Sequence, residues 1–300
     1  MARAVVFDRF GPTDELEVVR IPPPMPGPGE VRVHVRAAGL NPVDGKILRS
    51  PAAAAFYNFG GFPSGNGNDF AGVVDSVGDG VTAWSVGDEV YGGRRFFAQA
   101  DFVVIAAEKL QRKPADLSWE QAGALDIVGR TAVVAVRTVA PTAADTVLVS
   151  AACGGVGILA TQLAAETGAR VIATASPSNH EYLRKLGVIP VAYGDGVEER
   201  IREVAPDGVT AVLDQHGRET IELGLALGVD PARINTIAAK PFAAEVGAHG
   251  RGGAEAEPGD LPWIAGRIAA GEIDFPIDSI FPLERVREAY ARLEAGHVRG

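Results

Sequence analysis

An α/β protein of two domains, one mainly antiparallel β and one built on a doubly wound parallel sheet, is predicted by three features of the sequence. The first hundred or so residues carry short β-like runs separated by glycine and proline turns. From about Trp119 the pattern changes to helices alternating with strands. Between Thr146 and Ser176 a strand, a glycine turn, a helix and a second strand follow one another in about 30 residues.

In the N-terminal part the strand candidates are Ala4 to Phe7, Val31 to Ala38, Gly72 to Val77, Glu89 to Tyr91 and Phe102 to Ala106. The run VRVHVRAAG alternates, with its valines on one face and Arg32, His34 and Arg36 on the other. Pro22 to Glu30 (PPPMPGPGE) reads as a stiff connection. Ser118 and Glu120 open a helix, and Gly123 to Val139 is a long alanine- and valine-rich helical stretch. Later strand candidates are Pro190 to Tyr193, Thr210 to Leu213 and Arg233 to Ile237, with amphipathic helices between them. Val246 to Asp260 reads as a glycine-rich mobile loop that marks the return to the first domain. Leu261 to Gly271 then reads as a helix, Ile277 to Phe281 as a strand and Leu283 to Ala295 as a final amphipathic helix. The expected division is residues 1–119 and 258–300 in the β domain and 120–257 in the nucleotide-binding domain. No internal repeat is present.

The glycine turn carries the most chemistry. Thr146 to Ala151 is an apolar, β-branched run of the kind a buried parallel strand needs. Ala152, Gly154 and Gly157 stand at the spacing of the G-x-G-x-x-G fingerprint, with Ala in the first place and Gly155 and Val156 completing the turn. Glycines there let backbone approach a pyrophosphate and let helix pack on strand, while the N-terminus of the helix Ile158 to Thr167 faces the phosphate charge. An NAD site usually has Asp or Glu at the end of the second strand. Here Thr174, Ala175, Ser176, Pro177, Ser178, Asn179 and His180 occupy that place, with no acid between Glu166 and Glu181. Hydroxyl and amide donors without a carboxylate suit a 2′-phosphate, so NADPH is expected over NADH. Arg184 and Lys185 either add positive charge or are solvated helix residues.

Composition bounds the rest. Three hundred residues fit two domains of ordinary size, and 47% hydrophobic with 22% charged residues is normal for a globular enzyme. A formal charge of −10 disfavours nucleic acid or an anionic membrane as partner. One cysteine excludes a disulfide framework and any four-cysteine zinc site. Asp8 and Arg9 interrupt the N-terminus where a signal peptide needs an apolar core, and no apolar run reaches membrane-spanning length. A cytoplasmic enzyme is the expectation.

Taken together, AAGLNPVDGKILR (Ala37 to Arg49), GNDFAGVVDSVGDGVTAWSVGDEVYGG (Gly67 to Gly93), AACGGVG (Ala151 to Gly157) and the closing EAYARLEAGHVRG resemble a zinc-independent member of the medium-chain dehydrogenase/reductase superfamily, in its NADPH:quinone oxidoreductase branch. The resemblance covers nearly the whole chain. It implies a GroES-like β domain from both termini around a central Rossmann domain, an active site in the cleft between them, and a homodimer formed by edge pairing near Arg233 to Ala238. Zinc-dependent relatives have a Cys in the segment held here by Leu40 to Asp44, and Gly-His-Glu where this chain has Gly67, Asn68 and Asp69. Leu40, Asn41 and Asn68 do not make a zinc ligand set, so no metal is expected.

Hydride transfer then needs a placed nicotinamide and a donor for the charge that appears on the acceptor's carbonyl oxygen. By the resemblance Asn41 faces the nicotinamide and is the first candidate for a polar substrate contact; it also suits a turn before Pro42. Lys46 stands where some relatives place a tyrosine and either donates to the carbonyl or sits in solvent. Asp44 is read as a structural loop residue, and Asp69 as fixing the loop by hydrogen bonds. Thr131 resembles a threonine at the nicotinamide end of the cofactor, or bonds its own helix. Tyr193 resembles a residue near adenine or its ribose phosphate, or packs. His216 follows the fourth strand of the parallel sheet, where the cofactor's ribose should pass, and Ile237 ends the next strand candidate; both are grouped with the cofactor site. Cys153 is a small buried spacer, or a thiol whose pKa a helix N-terminus lowers. His34, His180, His249 and His297 form no close metal pair. Ala52 to Phe62 is either a lid over a flat hydrophobic acceptor or a packed loop.

The leading expectation is an NADPH-dependent reductase of quinones or α,β-unsaturated carbonyl compounds. The alternatives are an enoyl-thioester reductase, which needs a long acyl channel, and a non-catalytic NADPH-binding sensor or crystallin-like protein.

Overall fold

The computed structural model describes residues 1–300. Its first strands are β1 (Ala2–Phe7), β2 (Glu17–Ile21) and β3 (Glu30–Ala38), followed by helices α1 (Pro42–Arg49) and α2 (Pro51–Phe56). Next come β4 (Ser64–Gly65), β5 (Asp69–Val77), β6 (Glu89–Gly93), β7 (Phe102–Ala106), β8 (Gln111–Arg112) and α3 (Trp119–Gly123). The alternating half begins with α4 (Leu125–Val139), β9 (Thr146–Val149), α5 (Gly155–Glu166), β10 (Arg170–Thr174), α6 (His180–Lys185) and β11 (Ile189–Val191). It continues through α7 (Val197–Val204), β12 (Ala211–Asp214), α8 (Arg218–Ala226), β13 (Ile234–Thr236) and α9 (Lys240–Val246). The chain closes with α10 (Asp260–Ala269) and α11 (Val286–Glu294). No helix is long and apolar enough to cross a membrane.

Two compact units result. Met1–Ile127, Leu261–Ala270 and Ile277–Gly296 form the β unit; Val128–Asp260, Gly271–Pro276 and His297–Gly300 form the other. The division falls later than the expected 119/120 because α3 belongs to the β unit. A Cβ on Gly123 would stand 2.7 Å from the Ala37 carbonyl oxygen of β3, so that glycine lets the helix lie directly on the strand.

In the β unit, five antiparallel strands run in the order β7-β3-β5-β6-β8, beside a three-stranded sheet β2-β1-β4. The alternation read in VRVHV is realised: Val31 and Val33 are buried with Phe70, Val74, Val90, Val103 and Ile105. On the other face Arg32 makes a two-pronged ion pair with Asp75 across the β3–β5 pair, at 2.9 and 3.0 Å. A second core of Val5, Phe7, Leu16 and Leu48 is closed by Val286 and Tyr290 of α11.

In the other unit, five parallel strands run in the order β11-β10-β9-β12-β13, the doubly wound, Rossmann-like arrangement. The strands are near-continuously apolar because helices cover both faces. Leu148, Ile172, Val212 and Ile234 are fully buried with Ile201 of α7 and Ile221 of α8.

Three expectations are corrected. Ile277 to Phe281 forms no strand; it lies between Pro276 and Pro282, and no strand pairs with it. The helical stretch Gly123 to Val139 is two helices, broken at Ala124. Val246 to Asp260 is not a loose loop. Asn235 and His249 form a parallel bridge, and Asn235 bonds Arg251 twice, Nδ2 to its carbonyl at 3.1 Å and Oδ1 from its N–H at 2.9 Å. Those bonds also meet the outer edge of β13, where Ile234 O and Thr236 N pair with His249.

Candidate functional site

The turn after β9 is shaped by close approach. Ala151 adopts a left-handed φ of 45°, and Gly154 caps α5 at φ −77°, ψ 166°. A Cβ on Gly157 would lie 2.2 Å from the Ala151 carbonyl oxygen and 3.0 Å from Ala152 Cα, so only glycine lets α5 pack against the turn. A Cβ on Gly154 would meet nothing nearer than Ala151 O at 3.6 Å. Space around Gly154 would admit a side chain, so its glycine serves the N-cap of α5 and leaves the backbone open. Gly155 packs on Val128, and Ala152 N bonds Thr174 O of β10 at 3.1 Å. No side chain caps α5, so the first-turn N–H groups, at Gly155, Val156 and Gly157, have no helical acceptor. A phosphate fits this cradle.

The acid-free connection after β10 is a polar knot. Ser176 Oγ and Ser178 Oγ are 3.0 Å apart, and Asn179 Nδ2 donates to Ser176 Oγ at 3.2 Å. His180 Nε2 lies 3.2 Å from the Ala175 carbonyl, which occupies one ring nitrogen. Lys185 is paired with Glu181 one turn earlier on α6. A cation reaches this knot from residue 299: Arg299 donates to Asn179 Oδ1 from Nε at 3.0 Å and Nη2 at 2.8 Å. Its guanidinium also sits 4.6 Å over the Tyr182 ring. The same segment brings His297 Nε2 to within 3.1 Å of Tyr193 OH, and Gly300 N donates to Cys153 O at 3.0 Å. Nothing in the local sequence of the turn announces Arg299; the closing VRG was its only signal.

Cys153 is buried, and burial pushes its thiol up to about 11, against a smaller opposing pull from Arg299. Desolvation outweighs the pull of the Arg299 charge on the thiol. Thr131 is buried on α4, and a Cβ on Gly253 would stand 3.1 Å from its Oγ1. Ile237 reaches the same place: a Cβ on Gly252 would be 3.9 Å from Ile237 Cγ2 and 3.5 Å from Thr131 Cγ2. His216 is exposed, its N–H held by Asp214 Oδ1 at 2.8 Å.

In the β unit, Asn41 caps α1 and is almost wholly buried. Its Nδ2 donates to Asp69 Oδ2 at 3.0 Å and its N–H to Asp44 Oδ2 at 2.8 Å. Asn68 Nδ2 donates to Asp44 Oδ1, and Asp69 Oδ1 accepts Ile127 N at 3.3 Å. Burial pushes Asp44 up to about 6, against the pull of its Asn41 and Asn68 donors. Burial, and then the neighbouring Asp126, hold Asp69 well above the usual carboxylate range. Tyr290 OH accepts from Asn66 Nδ2 at 2.8 Å and Gln99 Nε2 at 3.0 Å, and burial raises its pKa well above the ordinary phenol. Asn41 is thus oriented by a buried network that the sequence showed only as Asp44 and Asp69. Lys46 is exposed and stands outside it. The segment Ala52 to Phe62 holds most of the short helix α2 and a loop that is largely exposed: Phe59 stacks on Phe7 at 5.8 Å and Phe62 meets Phe10 edge-on at 4.8 Å, while Phe56 and Phe62 keep exposed surface. No group of three or more His, Cys, Asp or Glu is placed to hold a metal ion.

Residues 27–111 match the alcohol dehydrogenase GroES-like domain and residues 155–246 the zinc-binding dehydrogenase model. A quinone oxidoreductase of Pseudomonas aeruginosa is 37% identical over 232 residues, 75% of this chain and 70% of that protein. The structure of the quinone oxidoreductase from Coxiella burnetii superposes with a TM-score of 0.90 at 30% identity, covering 100% of this chain and 97% of that one. The crystal structure of Escherichia coli quinone oxidoreductase complexed with NADPH has a TM-score of 0.85 at 25% identity, covering 100% and 98%.

Proposed function

The chain belongs to the medium-chain dehydrogenase/reductase family and is a quinone oxidoreductase-like oxidoreductase, and from that premise we propose that it reduces quinones or α,β-unsaturated carbonyl compounds with NADPH. The observation that carries this reading is the pair of Gly154, free of packing duty beside an uncapped helix, and an acid-free Ser176–Asn179 knot reached by Arg299. The first suits a pyrophosphate, the second a 2′-phosphate. NADPH in the Escherichia coli relative supports the same choice. When bound, the reduced nicotinamide supplies the hydride.

The chain's own residues do the rest. Backbone N–H groups of Gly155 to Gly157 hold the pyrophosphate; Ser176, Ser178 and Arg299 hold the 2′-phosphate; Thr131 and Ile237 border the nicotinamide end. Asn41 carries the polar contact to the acceptor. One of its amide hydrogens is bound to Asp69, which fixes the plane of the amide, and the other remains to receive the charge growing on a carbonyl oxygen. The reaction is metal-free: Leu40 offers no ligand atom, and the amide nitrogens of Asn41 and Asn68 are donors spent on carboxylates.

Purified protein supplied with NADPH and a panel of quinones and enones should oxidise the cofactor well above the uncatalysed rate, unaffected by chelator. Tight NADPH binding with no turnover across the panel refutes the reductase reading and favours a binding protein. Activity lost to chelator and restored by zinc refutes the metal-free part.

A further inference from the structure

We propose that Lys240 separates the two redox forms of the cofactor: its ammonium disfavours the oxidised nicotinamide, which is positively charged, and spares the reduced one, which is neutral. The inference rests on the dinucleotide reading above, with Thr131 and Ile237 beside the nicotinamide, and goes beyond it to which form stays bound.

Glycines place the side chain. Lys240 opens α9, the helix that follows β13. A Cβ on Gly250 would stand 3.2 Å from both Cβ and Cγ of Lys240, so the lysine stem lies on backbone that carries no side chain. Two residues on, a Cβ on Gly252 would stand 3.5 Å from Thr131 Cγ2, 3.9 Å from Ile237 Cγ2 and 4.0 Å from Lys240 Nζ, with nothing nearer. The bare backbone at Gly252 is thus bordered by two methyl groups and one ammonium.

Nothing in the fold answers that charge. Lys240 is half-buried and has neither an ion pair nor a hydrogen bond. Every other lysine or arginine shielded to this degree has a partner, as Arg32 has Asp75, Arg200 the carbonyls of Ala192 and Tyr193, and Arg292 Asp278. A partly desolvated charge without a counter-charge is unfavourable. Its position adds to the cost, because the first turn of a helix presents unbonded N–H groups and favours carboxylates over cations. Stability of the fold does not account for an ammonium here.

A bound dinucleotide gives the charge a task. NADPH and NADP⁺ carry the same phosphates, so any attraction of Lys240 to them cancels in the ratio of the two affinities. What differs is one positive charge on the nicotinamide ring. The contacts around Gly252 put Nζ within about 8 Å of the Thr131 and Ile237 methyl groups. At that separation and an effective dielectric constant of about 20, two like unit charges change a binding constant roughly 30-fold, and partial exposure of the lysine lowers this to roughly tenfold. The ammonium therefore loosens NADP⁺ and clears the site for the next NADPH.

The test is equilibrium titration of wild type, Lys240→Met and Lys240→Arg with NADPH, NADP⁺ and 2′,5′-ADP, the last carrying only the phosphorylated adenosine half. In Lys240→Met the preference for NADPH over NADP⁺ should fall roughly tenfold. Lys240→Arg keeps the charge and should keep the wild-type preference, and 2′,5′-ADP should bind all three proteins alike. A preference unchanged in Lys240→Met overturns the proposal. So does an equal weakening of NADPH and NADP⁺, which would mark a phosphate contact, or a loss of 2′,5′-ADP, which would place Lys240 at the adenosine end. A wild type that binds neither NADPH nor 2′,5′-ADP overturns the dinucleotide reading itself, and the role of Lys240 with it.

Discussion

Gly154 and Gly157 differ by three positions and should fail in opposite ways when replaced by alanine. At Gly157 the new methyl would sit 2.2 Å from the Ala151 carbonyl oxygen and 2.9 Å from its carbon. An ordinary contact is near 3.5 Å, so α5 and the turn must separate by about 1 Å against backbone atoms that have no rotamer to change. Overpacking of this kind costs about 1–3 kcal/mol. For a chain of 300 residues that is a fall in melting temperature of roughly 2–5 °C. At Gly154 the methyl fits, with its nearest neighbour at 3.6 Å and φ −77°, ψ 166° open to alanine. Alanine is a poorer N-cap than glycine by about 0.5–1 kcal/mol, but it restricts the unfolded chain by about 0.4–1 kcal/mol, so the two nearly cancel. The same methyl would hold a pyrophosphate off the backbone. Thermal unfolding and NADPH titration of both variants form the assay. Gly157→Ala should melt lower, whereas Gly154→Ala should keep its melting temperature and lose at least tenfold in NADPH affinity. If Gly154→Ala binds NADPH like wild type, the glycine serves no approach of phosphate and the reasoning falls.

Three further outcomes are expected. Arg299→Ala should weaken NADPH about tenfold by loss of a charge-assisted contact and alter NADH less than twofold; equal losses in parallel titrations would place the 2′-phosphate elsewhere. Thr161→Val removes a buried hydroxyl without a partner and should stabilise by about 1 kcal/mol, seen as a higher urea midpoint. Asp44 has its folded pKa raised from 3.8 to about 6, so the folded state holds its proton more tightly than the unfolded chain does. Its contribution is therefore present below about pH 4 and lost as pH rises through about 6, on the order of 3 kcal/mol. Urea unfolding of Asp44→Asn at pH 4 and 7 should show a flatter pH dependence than wild type; an unchanged slope would mean another group is responsible.

The parts legible in the sequence were those whose cause is local. The turn Ala151–Gly157 was readable because strand, glycine spacing and helix lie within one short stretch. The alternation of Val31 and Val33 was readable because a two-residue period needs no partner to be seen. What failed depended on distant residues. Ile277 to Phe281 has the composition of a strand, but strand formation needs a neighbour, and none pairs with it. Arg299 lies 120 residues from Asn179, so local sequence points only to Arg184 and Lys185, on the helix that follows. Lys46 and Asn41 share a motif, yet α1 buries one and exposes the other.

The Asn235–Arg251 pair has a consequence for how the protein behaves in a crowded solution. A bare parallel edge of Ile234, Asn235 and Thr236 would be a template onto which an extended segment of another molecule could add, the first step towards fibrous association. Asn235 answers one stretch of its own chain with the donor and acceptor of an amide, imitating a peptide group from its side chain. Asn235→Leu would keep a similar side-chain volume but release Arg251 and loosen the segment whose His249 main chain covers the edge, so the variant's tendency to precipitate on prolonged incubation would exceed anything its melting temperature foretells.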